Sequence, residues 1–238
     1  NATVQALGPD DETLIDTFNV SASDGTSTTS VTLSFGITGA ADIALAAPTV
    51  GALTEDDSTT TVTGTLTGTD PEGDTLTYSI AGSIEVDGIY TATGTYGALV
   101  VNKTTGEYTY TLDNTDADTN AIATGTTADE TFTVRTTDGT SRGSQVLTIT
   151  ITGTNDTPVL TVPTGGALTE GASANKVTDT LSASDAEAGS LTFSVVGETA
   201  SEGVYNVTGT YGSISLNAST GAYTYTLNNS DADTVALT

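Results

Sequence analysis

The stretch Gly51-Ala-Leu-Thr-Glu-Asp-Asp57 returns as Gly166-Ala-Leu-Thr-Glu-Gly-Ala172, 115 residues further along. The landmarks between keep that spacing: Asp70 and Asp185, Glu72 and Glu187, Tyr90 and Tyr205, the Gly-Thr-Tyr-Gly runs at Gly94 and Gly209, Tyr-Thr-Tyr-Thr-Leu at Tyr108 and Tyr223, and Asp-Ala-Asp at Asp116 and Asp231. A period that long is the size of a whole domain, so the pattern implies tandem copies with a core each and not a solenoid of short units. Asp16–Ser27 (DTFNVSASDGTS) matches Glu130–Ser141 (ETFTVRTTDGTS) 114 residues later. On this ruler residues 1–43 are the C-terminal strands of one repeat, 44–157 a complete repeat, and 158–238 the first two thirds of another.

Period-two alternation dominates and helical periodicity is nearly absent, which is the pattern of sheets with one buried face. Val31, Leu33, Phe35 and Ile37 point one way between serines and threonines; Leu147, Ile149 and Ile151 repeat the pattern, as do Phe132 with Val134, and Tyr108, Tyr110 and Leu112. The tyrosines alternate with threonine inside a strand, which assigns them to the core or a sheet edge and not to a sugar-stacking platform. About seven strands are expected in the complete repeat, near 61–66, 76–80, 89–92, 98–101, 108–112, 131–136 and 145–152, with turns at Asp70, Lys103 and Thr137. Short strands at this density give an all-β fold of tandem Greek-key sandwiches.

Four basic and thirty acidic residues leave a net charge of −26, which argues against nucleic acid and anionic membrane surfaces as partners. The chain has no Cys, Met, His or Trp, so disulfides and thiolate metal sites are excluded and the commonest catalytic bases and nucleophiles are missing. No apolar run approaches the roughly 20 residues of a membrane-spanning helix. Asp70 with Glu72 could serve a glycosidase, but the pair recurs as Asp185 with Glu187, and a single active site is not expected to be duplicated. The expectation is therefore a protein that is not an enzyme.

The acids cluster in recurring motifs: Thr54–Asp56, Asp70–Asp74 (DPEGD), Leu112–Asp118 (LDNTDAD), Asp138, and Gly153–Pro158 (GTNDTP). With Thr67–Ile80 (TGTDPEGDTLTYSI), Ser182–Val195 (SASDAEAGSLTFSV) and Thr136–Leu160 (TTDGTSRGSQVLTITITGTNDTPVL), this order resembles the VCBS repeats of very large bacterial surface adhesins of the RTX type. More distantly it is similar to cadherin domains. The resemblance implies a cadherin- or immunoglobulin-like sandwich and Ca2+ at the junction between repeats. Carried over by position, the ligands after the complete repeat would be Glu55, Asp113, Asp138, Asn155, Asp156, Asp185 and Glu187. Two departures stand out: Leu112-Asp-Asn-Thr115 replaces a more acidic run of the cadherins, and Ala40-Ala-Asp-Ile-Ala44 stands where the later linker reads Thr154-Asn-Asp-Thr-Pro158, keeping Asp42 alone.

The expected role is structural: a spacer of an extracellular bacterial adhesin or surface filament, touching copies of itself head to tail and inserting in no membrane. A carbohydrate- or ligand-binding adhesin module is the alternative. It would place solvent-facing aromatics in one repeat only, whereas these recur at matching positions. The C-terminal partial repeat is completed either by a neighbouring chain, through strand addition, or by a continuing array.

Overall fold

The computed structural model describes residues 7, 13–40, 42–161, 163, 165–187 and 189–237; the first residues of the expected repeat end, Leu7 apart, lie outside the described ones. The chain divides into two compact units, residues 1–154 and 155–238.

The first unit opens with β1 (Leu14–Ser23) and β2 (Thr28–Ile37), an antiparallel hairpin in which Phe18 faces Leu33 and Val20 faces Val31. The strands β3 (Ala44–Leu45), β4 (Gly51–Thr54), β5 (Thr61–Thr65), β6 (Gly68–Thr69), β7 (Thr77–Ile80), β8 (Glu85–Val86), β9 (Ile89–Thr93), β10 (Gly97–Asn102) and β11 (Glu107–Leu112) follow. After a one-turn helix, α1 (Ala117–Asn120), come β12 (Thr127–Thr137) and β13 (Arg142–Thr152). Besides the hairpin and a two-stranded ribbon of β3 with β6, two larger sheets result: β5-β11-β10-β9-β8, and β4-β13-β12-β7, whose edge strand β4 runs parallel to β13.

Period-two alternation builds the core between them. Tyr108, Tyr110 and Leu112 of β11 and Leu99 and Val101 of β10 are buried from one side. Phe132, Val134, Leu147, Ile149 and Ile151 are buried from the other, which makes this a β-sandwich. The Tyr108 hydroxyl donates to the Thr49 carbonyl at 2.6 Å, so the tyrosine stripe packs and anchors the core, as its alternation implied. All seven expected strands form. The sequence reading missed β3, β4, β6 and β8, two to four residues each and too short to show alternation, and also α1. Helix α1 begins where Asp116 caps it, the Asp118 N–H donating to Asp116 Oδ1 at 2.8 Å.

The Gly-Thr-Tyr-Gly motif recurs for a steric reason. A Cβ on Gly97 would lie 2.7 Å from Tyr110 Oη, and one on Gly212 would lie 2.8 Å from Tyr225 Oη. Each glycine lets the tyrosine of the neighbouring strand cross over it.

The second unit holds β14 (Val159–Thr161), β15 (Lys176–Thr180), β16 (Ser182–Ser184), β17 (Val204–Thr208), β18 (Gly212–Asn217), β19 (Ala222–Leu227) and α2 (Ala232–Val235). Its sheet β15-β19-β18-β17 repeats β5-β11-β10-β9, and Asp231 caps α2 as Asp116 caps α1. Residues 166–169 and 192–195, counterparts of β4 and β7, are not strands.

Candidate cation site

The acidic residues gather at the two ends of the complete sandwich, and strand register decides which end each takes. Thr54 at the end of β4 pairs with Thr152 at the end of β13, and the Glu55 N–H donates to the Thr152 carbonyl at 2.9 Å. Glu55 is buried, and its Oε2 accepts from the Thr154 N–H at 2.9 Å. Asp113 follows β11 at this same end, where its N–H bonds the Tyr96 carbonyl at 2.9 Å; Oδ1 accepts from the backbone and hydroxyl of Thr115, which holds its carboxyl below the ordinary range. Asn155 is exposed.

Asp138 stands at the other end. It caps the β12–β13 turn, accepting from the N–H groups of Ser141 and Thr140 at 2.6 Å each, bonds that keep its carboxyl low. The turn is eleven paired residues from Thr127 and Thr152, about 34 Å at a strand's rise. Asp138 therefore cannot join Glu55 in one site of this unit. Thr137 instead pairs with Thr77, just past the DPEGD turn, and the carboxylate oxygens of Asp70, Asp74 and Asp138 lie within 4.8 Å of one another.

Glu72 belongs to the same turn. Its N–H donates to Asp70 Oδ1 at 2.9 Å, and its carboxyl is pushed up by the adjacent Asp70 carboxyl and by burial, while the Asp42 backbone N–H pulls the other way. Asp70 Oδ2 and Glu72 Oε1 are buried without a hydrogen-bond partner. None of Asp70, Glu72, Asp74 or Asp138 forms an ion pair: the one among the described residues is Lys103 Nζ to Glu85 Oε2, at 2.6 Å. Convergent carboxylates and shielded oxygens with no ion pair to Lys or Arg are the donor set of a hard cation with oxygen ligands.

The second unit repeats one contact of this arrangement, with Gly189 in the place of Asp74. The Asp156 N–H donates to Glu187 Oε1 at 2.7 Å, which keeps the Glu187 carboxyl low, while Glu187 pushes Asp185 up. Asp156 thus stands to Glu187 as Asp42 stands to Glu72. The stretch around Ala40 looked the poorer linker, yet the one acid it keeps is the one whose backbone serves the glutamate. Sequence reading also missed Asp74 as a partner of Asp138, although both flank strands that pair. Asp116 and Asp231, counted among the clustered acids, spend a carboxylate oxygen on helix capping.

Residues 41–153 match the family model of the bacterial cadherin-like domain. No curated protein matches the chain in sequence. Among solved structures, cadherin domains 1–4 of protocadherin gamma B7 align at TM-score 0.47 and 16% identity, covering 93% of this chain and 50% of that one. Drosophila N-cadherin EC1-4 aligns at 0.34 and 12%, covering 97% and 53%. An endo-fucoidan hydrolase of glycoside hydrolase family 107 aligns at 0.33 and 17%, covering 91% and 30%. The chain thus spans half or less of the length of the first two structures it matches. No helix among the described residues is long and apolar enough to cross a membrane.

Proposed function

We propose that the bacterial cadherin-like domain and its flanking partial repeats form a spacer of an extracellular adhesin or surface filament, in which sandwiches follow one another head to tail and Ca2+ stiffens the joints. On this reading the repeats run over residues 1–43, 44–157 and 158–238. The partners are neighbouring copies of the repeat, and no chemistry is catalysed.

The observation that carries it is the Asp70, Asp74 and Asp138 group with the buried oxygens of Asp70 and Glu72 beside it and no basic partner. Calcium takes six to eight oxygens in a tolerant geometry, which is more than the five-residue DPEGD turn supplies and is suited to a joint where two sandwiches contribute. The residues divide by the end of the sandwich they occupy. Asp42, Asp70, Glu72, Asp74 and Asp138 would serve the joint before residue 44. Glu55, Asp113, Asn155, Asp156, Asp185 and Glu187 would serve the one after residue 157. Without an ion the carboxylates repel one another and loosen the joint. A bound ion neutralises them and makes it a strut.

Small-angle scattering and calorimetry of the chain in calcium and after chelation test this. The expected result is a longer maximum dimension and a higher Tm in calcium, with the Asp70→Asn/Asp138→Asn double variant losing part of both. Identical scattering and melting in calcium and chelator would sink the proposal.

A further inference from the structure

Three Asp-Gly pairs stand in turns of the chain, at Asp24, Asp87 and Asp138, and each glycine has a positive φ. Glycine has no Cβ to obstruct its own nitrogen, so an aspartate side chain closes on the following backbone nitrogen most readily at such a pair. At two of the three the atoms that would react are held. The Asp24 carboxylate accepts from the Thr26 and Ser27 N–H groups at 2.8 and 2.7 Å, while the Gly25 N–H donates to Ser23 Oγ at 3.2 Å. The Asp138 carboxylate likewise accepts from Thr140 and Ser141, and the Gly139 N–H donates to Thr137 Oγ1 at 3.0 Å.

At Asp87 neither hold is made. Asp87 and Gly88 are the two-residue turn between β8 and β9, where Val86 faces Ile89. Both take the left-handed backbone that such a turn requires, with φ of 51° and 80°. Asp87 is exposed, and its carboxylate accepts no hydrogen bond among the described residues. A Cβ on Gly88 would meet nothing within 4 Å, so the approach to its nitrogen is open. The group that does reach the Gly88 N–H is the Glu85 carboxylate, kept in place by Lys103 Nζ at 2.6 Å.

We infer that Asp87 is a site of spontaneous isoaspartate formation, with Glu85 as the base. The Gly88 nitrogen attacks Asp87 Cγ, the carboxyl being in its acid form, and passes its proton to Glu85. The tetrahedral centre then expels its hydroxyl, which takes that proton and leaves as water. Water adds to the resulting five-membered imide: addition at Cγ restores aspartate, and addition at the main-chain carbonyl leaves a backbone that runs through Cγ, one methylene longer. Neither oxidant nor reductant takes part.

A two-residue turn with an added backbone atom cannot keep Glu85 opposite Tyr90 and Val86 opposite Ile89, nor the 2.9 Å bond from the Lys103 N–H to the Gly88 carbonyl. The modification therefore detaches β8 from the edge of its sheet and leaves the inner strands in place. The second unit carries an internal control. Glu202 and Gly203 occupy the matching turn with nearly the same φ, 52° and 78°, yet a glutamate there must close a six-membered ring, which forms far more slowly.

Peptide mapping of the full chain after prolonged incubation at neutral pH tests this, with electron-transfer fragmentation to tell isoaspartate from aspartate. Ring closure at Asp24 and Asp138 must first break hydrogen bonds that Asp87 lacks, so isoaspartate at residue 87 is expected to exceed that at residue 24 or 138 by about tenfold or more. Asp87→Glu should leave residue 87 unmodified, and Glu85→Gln should slow the reaction several-fold. In urea, where the turns are lost, the three pairs should react at similar rates. Equal amounts at the three pairs in the folded chain, or no isoaspartate at residue 87, would overturn the inference. A preference for residue 87 that persists in urea would overturn the argument from the turns, and an unchanged rate in Glu85→Gln would overturn the assignment of the base.

Discussion

Tyr110→Phe should destabilise the first unit by about 2 kcal/mol, while the same change at its counterpart Tyr225 should leave the second unit unmoved. Tyr110 is fully buried, and its hydroxyl donates at 2.6 Å to Oε2 of Glu130, itself almost completely buried. Glu130 also accepts from the N–H groups of Thr95 and Tyr96, so one carboxylate ties the Gly-Thr-Tyr-Gly turn to both sheets. Phenylalanine keeps the ring and opens no cavity, which isolates one hydrogen bond to a charged acceptor, worth roughly 1.5–3 kcal/mol. An unfolding entropy near 2.1 cal/mol/K per residue over roughly 115 residues turns 2 kcal/mol into a Tm loss of about 8 °C. The Tyr225 hydroxyl has no hydrogen bond among the described residues, and Tyr225 is only half-buried. Urea unfolding followed by far-UV circular dichroism measures both variants, and an unchanged m-value would confirm that compactness is preserved. A loss below about 0.5 kcal/mol at Tyr110, or equal losses at the two positions, refutes the argument that the carboxylate is what the hydroxyl holds.

Burial and Glu130 push the Tyr110 phenol well above its ordinary value. A raised folded pKa contributes stability that is complete below the unfolded value, about 10, and is lost as pH rises beyond it, so alkaline titration should destabilise the parent chain more than Tyr110→Phe. The Asp24 carboxyl is held low by the N–H groups of Ser27 and Thr26. Its contribution is present above the unfolded value and fades as pH falls below about 3.9, and an NMR titration midpoint at or above that value would contradict the turn geometry. Gly97→Ala forces a Cβ against Tyr110 and the Thr111 carbonyl; a cost of about 1–3 kcal/mol in urea unfolding is expected, and a neutral result would refute the close crossing. Saturating the chain at a hundredfold excess over Kd should raise the stability of a calcium-binding unit by about 2.7 kcal/mol, and calorimetry should show that gain reduced in Asp138→Asn.

The fold was legible because burial alternates with a period of two wherever a strand is long enough to show it, as from Glu130 to Thr136. It was not legible where pairing is decided from outside the segment. Gly51–Thr54 is a strand because β13 lies beside it, and the nearly identical Gly166–Thr169 is not, since among the described residues nothing lies beside it in that way. The candidate site shows the same division between local and distant information. Spacing correctly marked Asp70, Glu72 and Asp138 as members of recurring motifs, but a motif does not state which end of a sandwich it occupies. Antiparallel pairing does: the turn between β12 and β13 must lie a full strand length from Thr152, and so Asp138 falls beside Asp70 and Asp74 and away from Glu55. A sequence reader could have reached this by threading strand direction through the repeat, since each hairpin reverses the end at which the next loop emerges. Under that rule every sandwich carries two acidic ends of different composition. The proposed head-to-tail joint would bring the Glu55 type of end against the Asp138 type, a pairing of unlike surfaces that two copies meeting end to end with a twofold axis could not make.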